Sequence, residues 1–147
     1  MAPASKKPVS LGTLNQFIGF GLRLAQVRVF QDFDDAMGDL AVSPAAFSVM
    51  EVLRNNPGLT QSKLAAAIRL DRSSVVPLLD KLEKRGVLRR QSSTTDRRHN
   101  HLFLTDAGLA LHDEATRRVR IHENRITACI TPAEKKTLME LLLRFGG

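Results

Sequence analysis

Residues 71–86 read Asp-Arg-Ser-Ser-Val-Val-Pro-Leu-Leu-Asp-Lys-Leu-Glu-Lys-Arg-Gly. At about 100° per residue, Val75, Leu78, Leu79 and Leu82 share one stripe, so the stretch reads as an amphipathic helix with that stripe on a core. Ser73, Ser74, Pro77, Asp80, Lys81 and Lys84 take the opposite face. That face is small and polar at its start and cationic towards its end, which suits entry into a groove. Pro77 removes one backbone donor and crowds the carbonyl four residues back, so the first turn is expected to be irregular or to begin at Ser73 or later. Arg85-Gly86 closes the helix with a cation and a glycine.

The flanking residues complete a unit. Upstream, Thr60 is a cap for a short helix over residues 61–68, and Asp71, Ser73 or Ser74 caps the next. Ser43-Pro44 combines a cap with proline at the first helical position and starts a helix to about Arg54, which Asn55-Asn56-Pro57-Gly58 terminates. Three helices therefore follow in quick succession. Downstream, residues 87–91 and 101–104 are β-prone and flank a polar connection, residues 92–98, with Arg97 and Arg98 near its tip. Two short helices and a basic hairpin form a winged helix-turn-helix over residues 59–104.

Towards the termini the pattern is helical again. Residues 11–37 carry Leu14, Phe17, Ile18, Leu22, Val29 and Phe33 at helix-like spacing and read as one long helix. Asp32, Asp34 and Asp35 crowd its negative end, so a break is expected near Gly38. Thr105-Asp106-Ala107-Gly108 starts a helix to about Ile126 with Leu111, Ala115, Val119 and Ile126 as its apolar stripe. Thr131-Pro132-Ala133-Glu134 repeats the start signal for a last helix to Phe145. The expected fold is mainly α with a small β-hairpin wing.

Charge marks the same segment. The chain has 147 residues and a net charge of +7, 43% of it is hydrophobic, and no apolar run approaches a membrane span. Acidic and basic residues balance at four each over residues 1–50, and seven basic face six acidic from Thr105 onwards. Between Arg69 and His101 nine basic residues face four acidic ones, the footprint of a phosphate-contacting surface. The first eight residues resemble neither a signal peptide nor an organelle presequence, so a cytoplasmic protein, nucleoid-associated when on DNA, is expected. One cysteine, Cys129, excludes an intramolecular disulfide and a cysteine-rich zinc site.

The unit carries a chemistry. The second of its two short helices can lie in the major groove of double-stranded DNA while the hairpin reaches the backbone or minor groove. Ser73 and Ser74 let the helix start approach phosphates or base edges, with Gln61, Ser62 and Arg72 beside them, and Lys81 and Lys84 flank the groove. Arg97 and Arg98 suit a narrow, electronegative minor groove, with Asp96 positioned to hold one of them.

Over residues 42–105 the sequence resembles the MarR family of bacterial regulators. The matching residues are Asp96, Arg98 and Leu104-Thr105 at the family's wing spacing, preceded by Leu82-Glu83-Lys84-Arg85-Gly86-Val87 and Asp71-Arg72-Ser73-Ser74-Val75. The resemblance implies that Ser73, Ser74, Pro77 and Lys81 lie on the recognition helix, and that Arg98 of an Asp96–Arg98 wing-tip pair probes the minor groove. Arg97 rests on charge alone. Pro77 stands where many relatives carry a polar or basic residue.

Helices at both ends without local partners suggest a twofold homodimer. Its expected core is Leu11, Leu14, Phe17 and Ile18 with Leu138, Leu141, Leu142 and Phe145. Residues 1–10 then form a flexible basic arm and residues 11–147 one domain. Within it, residues 41–104 are the DNA-binding lobe, and residues 11–40 and 105–147 are the dimerisation helices. Phe17, Phe20, Phe33 and Phe47 with Arg23 and Arg28 suggest a pocket for an aromatic carboxylate or its acyl thioester, and the family resemblance implies release from DNA by small, often phenolic, molecules.

Cys129 is expected to be structural. His99 and His101 alternate along a strand and do not converge on one ion with Asp96 or His112, so neither metal nor cofactor is expected. No catalytic arrangement presents itself, and an enzyme is the weakest reading. Beside a ligand-responsive repressor stand two alternatives, a constitutive architectural DNA binder and a helical protein-interaction module.

Overall fold

The computed structural model describes residues 9–92 and 100–145. Its helices are α1 (Ile18–Met37), α2 (Pro44–Asn55), α3 (Gln61–Ala67), α4 (Arg72–Lys84), α5 (Asp106–Ile126) and α6 (Pro132–Phe145). The strands are β1 (Leu59–Thr60), β2 (Leu88–Ser92) and β3 (Asn100–Leu104), joined antiparallel in the order β1-β3-β2.

Local chemistry sets the helix starts. The Ser43 hydroxyl accepts from the Ala46 amide at 3.2 Å, with Pro44 in the first turn of α2. Thr105 Oγ1 accepts from the Gly108 amide at 3.0 Å. At α6 the box is reciprocal: Glu134 Oε2 accepts from the Thr131 amide at 2.7 Å, and Thr131 Oγ1 from the Glu134 amide at 3.3 Å. Gly86 ends the recognition segment at φ 70°, where a side chain would be strained.

One core joins these elements. Val49, Met50 and Leu53 of α2, Leu64 of α3, Val75, Leu79 and Leu82 of α4, and Leu88 and Leu102 of the sheet are all at most 2% exposed. Each buried leucine stabilises the fold by about 1.5–3 kcal/mol relative to exposure. Gly108 is required where α5 leaves the sheet, because a Cβ there would stand 1.9 Å from the Val87 carbonyl oxygen. The Thr105 amide donates to that same oxygen at 3.1 Å.

Four expectations change. The helix expected over residues 11–37 begins only at Ile18: Leu14–Gln16 is a 3-10 turn, Gly12 has φ 58° and Phe17 is extended. Gly12 in the left-handed region and Phe17 in the extended one interrupt the helical backbone, and the amides of Gln16 and Phe17 bond three residues back, to Thr13 and Leu14, rather than four. The break at Gly38 is as expected, with φ 48°. Second, the hairpin gains a third strand, since Leu59 pairs with Leu102 and Thr60 with His101.

Third, α4 starts at Arg72 and runs through Pro77. Pro77 and Ser73, whose carbonyl loses its usual donor, are both exposed, so water can serve that oxygen. Fourth, Cys129 is exposed in the α5–α6 connection, its Sγ 3.7 Å from the Ile126 carbonyl oxygen, and does not pack in a core.

On α5, Ala115 is fully buried while Leu111, Val119 and Ile126 are half-buried, and the two buried polar residues are His112 and His122. His112 Nε2 faces Glu51 Oε2 of α2 at 2.5 Å, and His122 Nδ1 faces Asp32 Oδ1 of α1 at 2.6 Å. Arg125 Nε lies 2.6 Å from Asp32 Oδ2. Hydrogen bonds first from Arg125 and then from His122 hold the Asp32 carboxyl below its ordinary range.

Candidate nucleic-acid interface

The core fixes which side of α4 is presented. With Val75, Leu79 and Leu82 buried, Ser73, Ser74, Pro77, Lys81 and Lys84 are exposed, as the periodicity requires, and Arg72 in the first turn is exposed as well. α4 has 13 residues and is therefore about 20 Å long. At its start, a cleft of about 470 Å³ is lined by Gln61 and Ser62 of α3, Arg72, and Asn100 at the wing root. Further along, a second concavity of about 480 Å³ is lined by Pro77, Lys81 and Lys84. Gln61, Ser62 and Arg72 thus line one concavity, and Pro77, Lys81 and Lys84 another.

Its hydroxyls are held in place. The Asp71 carboxyl lies below its ordinary range because Ser73, and after it Ser74, donate to it. The amides of Ser74 and Val75 bond to the Asp71 carbonyl at 3.2 and 3.0 Å. Both serines therefore stand at the helix start in a fixed arrangement, anchored on a carboxylate.

The cations divide into two groups that composition cannot separate. Arg90 of β2 pairs with Asp80 of α4 at 2.7 Å and with Glu83, while Glu83 also accepts from the Arg90 amide at 3.1 Å. With its side chain 19% exposed, Arg90 locks the wing root to the recognition helix and neutralises two carboxylates beside the cationic face. Arg85 donates to the Ala41 and Leu40 carbonyls, both at 2.8 Å, and fastens the end of α4 to the α1–α2 connection. Arg89 lies 4.6 Å from the centre of the Phe103 ring and donates to Gln91. Arg72, Lys81 and Lys84 enter no ion pair among the described residues.

Sequence reading missed the clamp because it counted Arg90 as one of nine basic residues. The signal was present in Asp80 and Glu83, one helical turn apart, with an arginine in the middle of the following strand. Asp96, Arg97, Arg98 and His99 lie outside the described residues. His101 Nδ1 donates to the Gly58 carbonyl at 2.7 Å and ties β3 to the α2–β1 connection. No three His, Cys, Asp or Glu side chains converge for a metal ion among the described residues.

The expected aromatic pocket is divided. Phe33 and Phe47 meet edge to face at 6.4 Å, with Phe33 against His122 and Phe47 stacked on His112, so both serve the α1–α2–α5 core. Phe17, Arg23 and Arg28 are exposed and Phe20 half-buried on the other half of the α1 segment, and the two groups do not come together. Leu11, Leu14, Ile18, Leu138, Leu141 and Phe145 are 43–64% exposed, and Leu142 is half-buried, so the expected dimer residues form no core within the chain.

Helix-turn-helix, three-stranded wing and a cationic outer face define a winged helix-turn-helix regulator. Residues 42–99 match the MarR family model. A Thauera aromatica protein described as a transcriptional regulator for the hcr operon is 35% identical over 134 residues, covering 90% of this chain and 81% of that one. The transcriptional repressor CouR bound to a 23-mer DNA duplex superposes with a TM-score of 0.90 at 34% identity, covering 96% of this chain and 100% of CouR. CouR bound to p-coumaroyl-CoA gives a TM-score of 0.88 at 33% identity, covering 95% and 98%. The chain belongs to the MarR family of transcriptional regulators.

Proposed function

We propose that the chain is a homodimeric repressor that binds a pseudo-palindromic operator through α4 and the wing and is released by a small aromatic or phenolic anion, a carboxylate or its coenzyme A thioester. The observation that carries this reading is the outer face of α4, where Arg72, Ser73, Ser74, Lys81 and Lys84 are exposed and the neighbouring carboxylates Asp80 and Glu83 are held by Arg90. Gln61, Ser62 and Pro77 border that face, and Asp96, Arg97 and Arg98 are added to the proposed DNA contacts from their sequence alone. CouR, which binds a DNA duplex and p-coumaroyl-CoA, supports the choice of both partners.

Residues 41–104 then form the DNA-binding lobe, while residues 11–40 and 105–147 pair two copies and set the spacing of two α4 helices at about one DNA turn, ~34 Å. No residue is assigned a catalytic role. No single helix among the described residues is long and apolar enough to cross a membrane, and a protein acting on DNA works in the cytoplasm. The test is titration of a symmetric operator duplex and a scrambled duplex at moderate salt. Preference for the symmetric duplex is expected, and equal affinity for both overturns the reading.

A further inference from the structure

The described structure offers a second polar cavity far from α4. A cleft of about 490 Å³ lies between α2 and α5, with Glu51, Arg54 and Asn55 on one side, Asp113, Arg117 and Arg120 on the other, and His112 and Thr116 at its back, so that three guanidinium groups face two carboxylates. Its size falls within the range of small-molecule sites. Arg118, His122 and Arg125 turn towards α1, whereas Asp113, Arg117 and Arg120 stand about 140° round the same helix. The cleft is therefore separate from the α1 surface that carries Phe17, Arg23 and Arg28.

Two features are unexplained by folding alone. Arg54 has Asp113 at 3.1 Å and Arg117 has Glu114, but Arg120 has no ionic or hydrogen-bonded partner among the described residues. His112, 5% exposed in its side chain, places Nε2 on Glu51 and leaves Nδ1 buried with no hydrogen bond. The nearest acidic oxygen to Nδ1 is Asp113 Oδ1 at 3.8 Å, beyond bonding range. A buried polar atom without a partner marks a site that lacks one.

We propose that this cleft binds an organic anion, carboxylate or phosphate, gripped by Arg120 together with Arg54 and Arg117. Guanidinium forks match either group in two-point contacts. An anion that takes Arg54 from Asp113 frees that carboxylate to swing aside and opens His112 Nδ1 to a hydroxyl of the ligand. The occupant is then held by α2, a helix of the DNA-binding lobe, and by α5, which is fastened to α1 through Asp32 and through the Arg118 contact with the Met37 carbonyl at 2.7 Å. Differential binding at that junction is what shifts the relation of the two lobes. The inference rests on the ligand-release reading above and names its site.

The test measures binding of p-coumarate, coenzyme A and p-coumaroyl-CoA by calorimetry to the full chain and to Arg120→Ala, Arg54→Ala, Arg120→Lys and Lys136→Ala. Binding of p-coumarate but not coenzyme A identifies the carboxylate as the recognised anion, and the converse identifies phosphate. Either way Arg120→Ala and Arg54→Ala are expected to weaken binding by about tenfold or more, Arg120→Lys less, and Lys136→Ala, which removes one charge elsewhere, not at all. Unchanged affinity in both alanine variants overturns the cleft while leaving ligand release intact. Failure of all three probes to bind the unaltered protein overturns ligand release itself and the cleft with it.

Discussion

The DNA-facing lobe and the terminal helices treat apolar residues in opposite ways. Around α4, Leu64, Val75, Leu79, Leu82 and Leu102 are at most 1% exposed, and the charged residues that could disturb the face are braced by Arg90. At the ends, Ile18 is 63%, Leu143 71% and Phe145 64% exposed, and α6 has no buried residue. The first lobe is complete within one chain. The second is half of a dimer interface, since so many large apolar side chains on these helices are exposed.

The largest effect that sharpens this contrast is expected from Leu138→Glu with Leu141→Glu. The variant should sediment as a folded monomer with unchanged α-helical circular dichroism, and its operator affinity should fall by about a hundredfold or more, since the second half-site no longer binds intramolecularly. A variant that stays dimeric breaks the comparison. Where α5 leaves the DNA-facing lobe, Gly108→Ala forces a Cβ onto the Val87 carbonyl and should cost about 3 kcal/mol, read as a melting temperature lower by about 10 °C.

Arg90→Ala is expected to weaken operator binding about tenfold by exposing two carboxylates beside the phosphates. Adding Asp80→Asn and Glu83→Gln should recover most of that loss, which they would not do if Arg90 touched DNA itself. Lys81→Ala, as a phosphate contact, should weaken binding several-fold on every sequence and lower the salt slope by about one.

The smallest effect concerns pH. Because Arg125 and His122 depress the Asp32 carboxyl, its contribution to stability is complete above the unfolded carboxylate value of about 3.9 and is lost as pH falls through the lower folded value. Asp32→Asn should therefore flatten the acid limb of a pH–stability curve.

The recognition helix was legible because Val75, Leu79 and Leu82 must share a face, and that face leaves the serines and lysines outside, with Pro77 and Asp80. Caps at Ser43, Thr105 and Thr131 were equally local signals. What stayed hidden is non-local. β1 is two residues whose strand character comes from Leu102 and His101 forty residues on, and the buried histidines depend on Glu51 and Asp32, sixty-one and ninety residues away. Pairing of that range has no periodicity to betray it. The Phe–Arg grouping was drawn from residues on one helix, which need not face one cavity: within one chain Phe33 is buried while Arg23 and Arg28 are exposed.

The measurement that bears most directly on DNA recognition is selection from a pool of random duplexes with the full chain, followed by sequencing of the bound fraction. Enrichment of an inverted repeat whose half-sites are centred about 10 base pairs apart, lost in Lys81→Ala combined with Lys84→Ala, is the predicted result. Enrichment of no symmetric motif, or the same enrichment from the double variant, would contradict the assignment of α4 as the reading helix of a dimer.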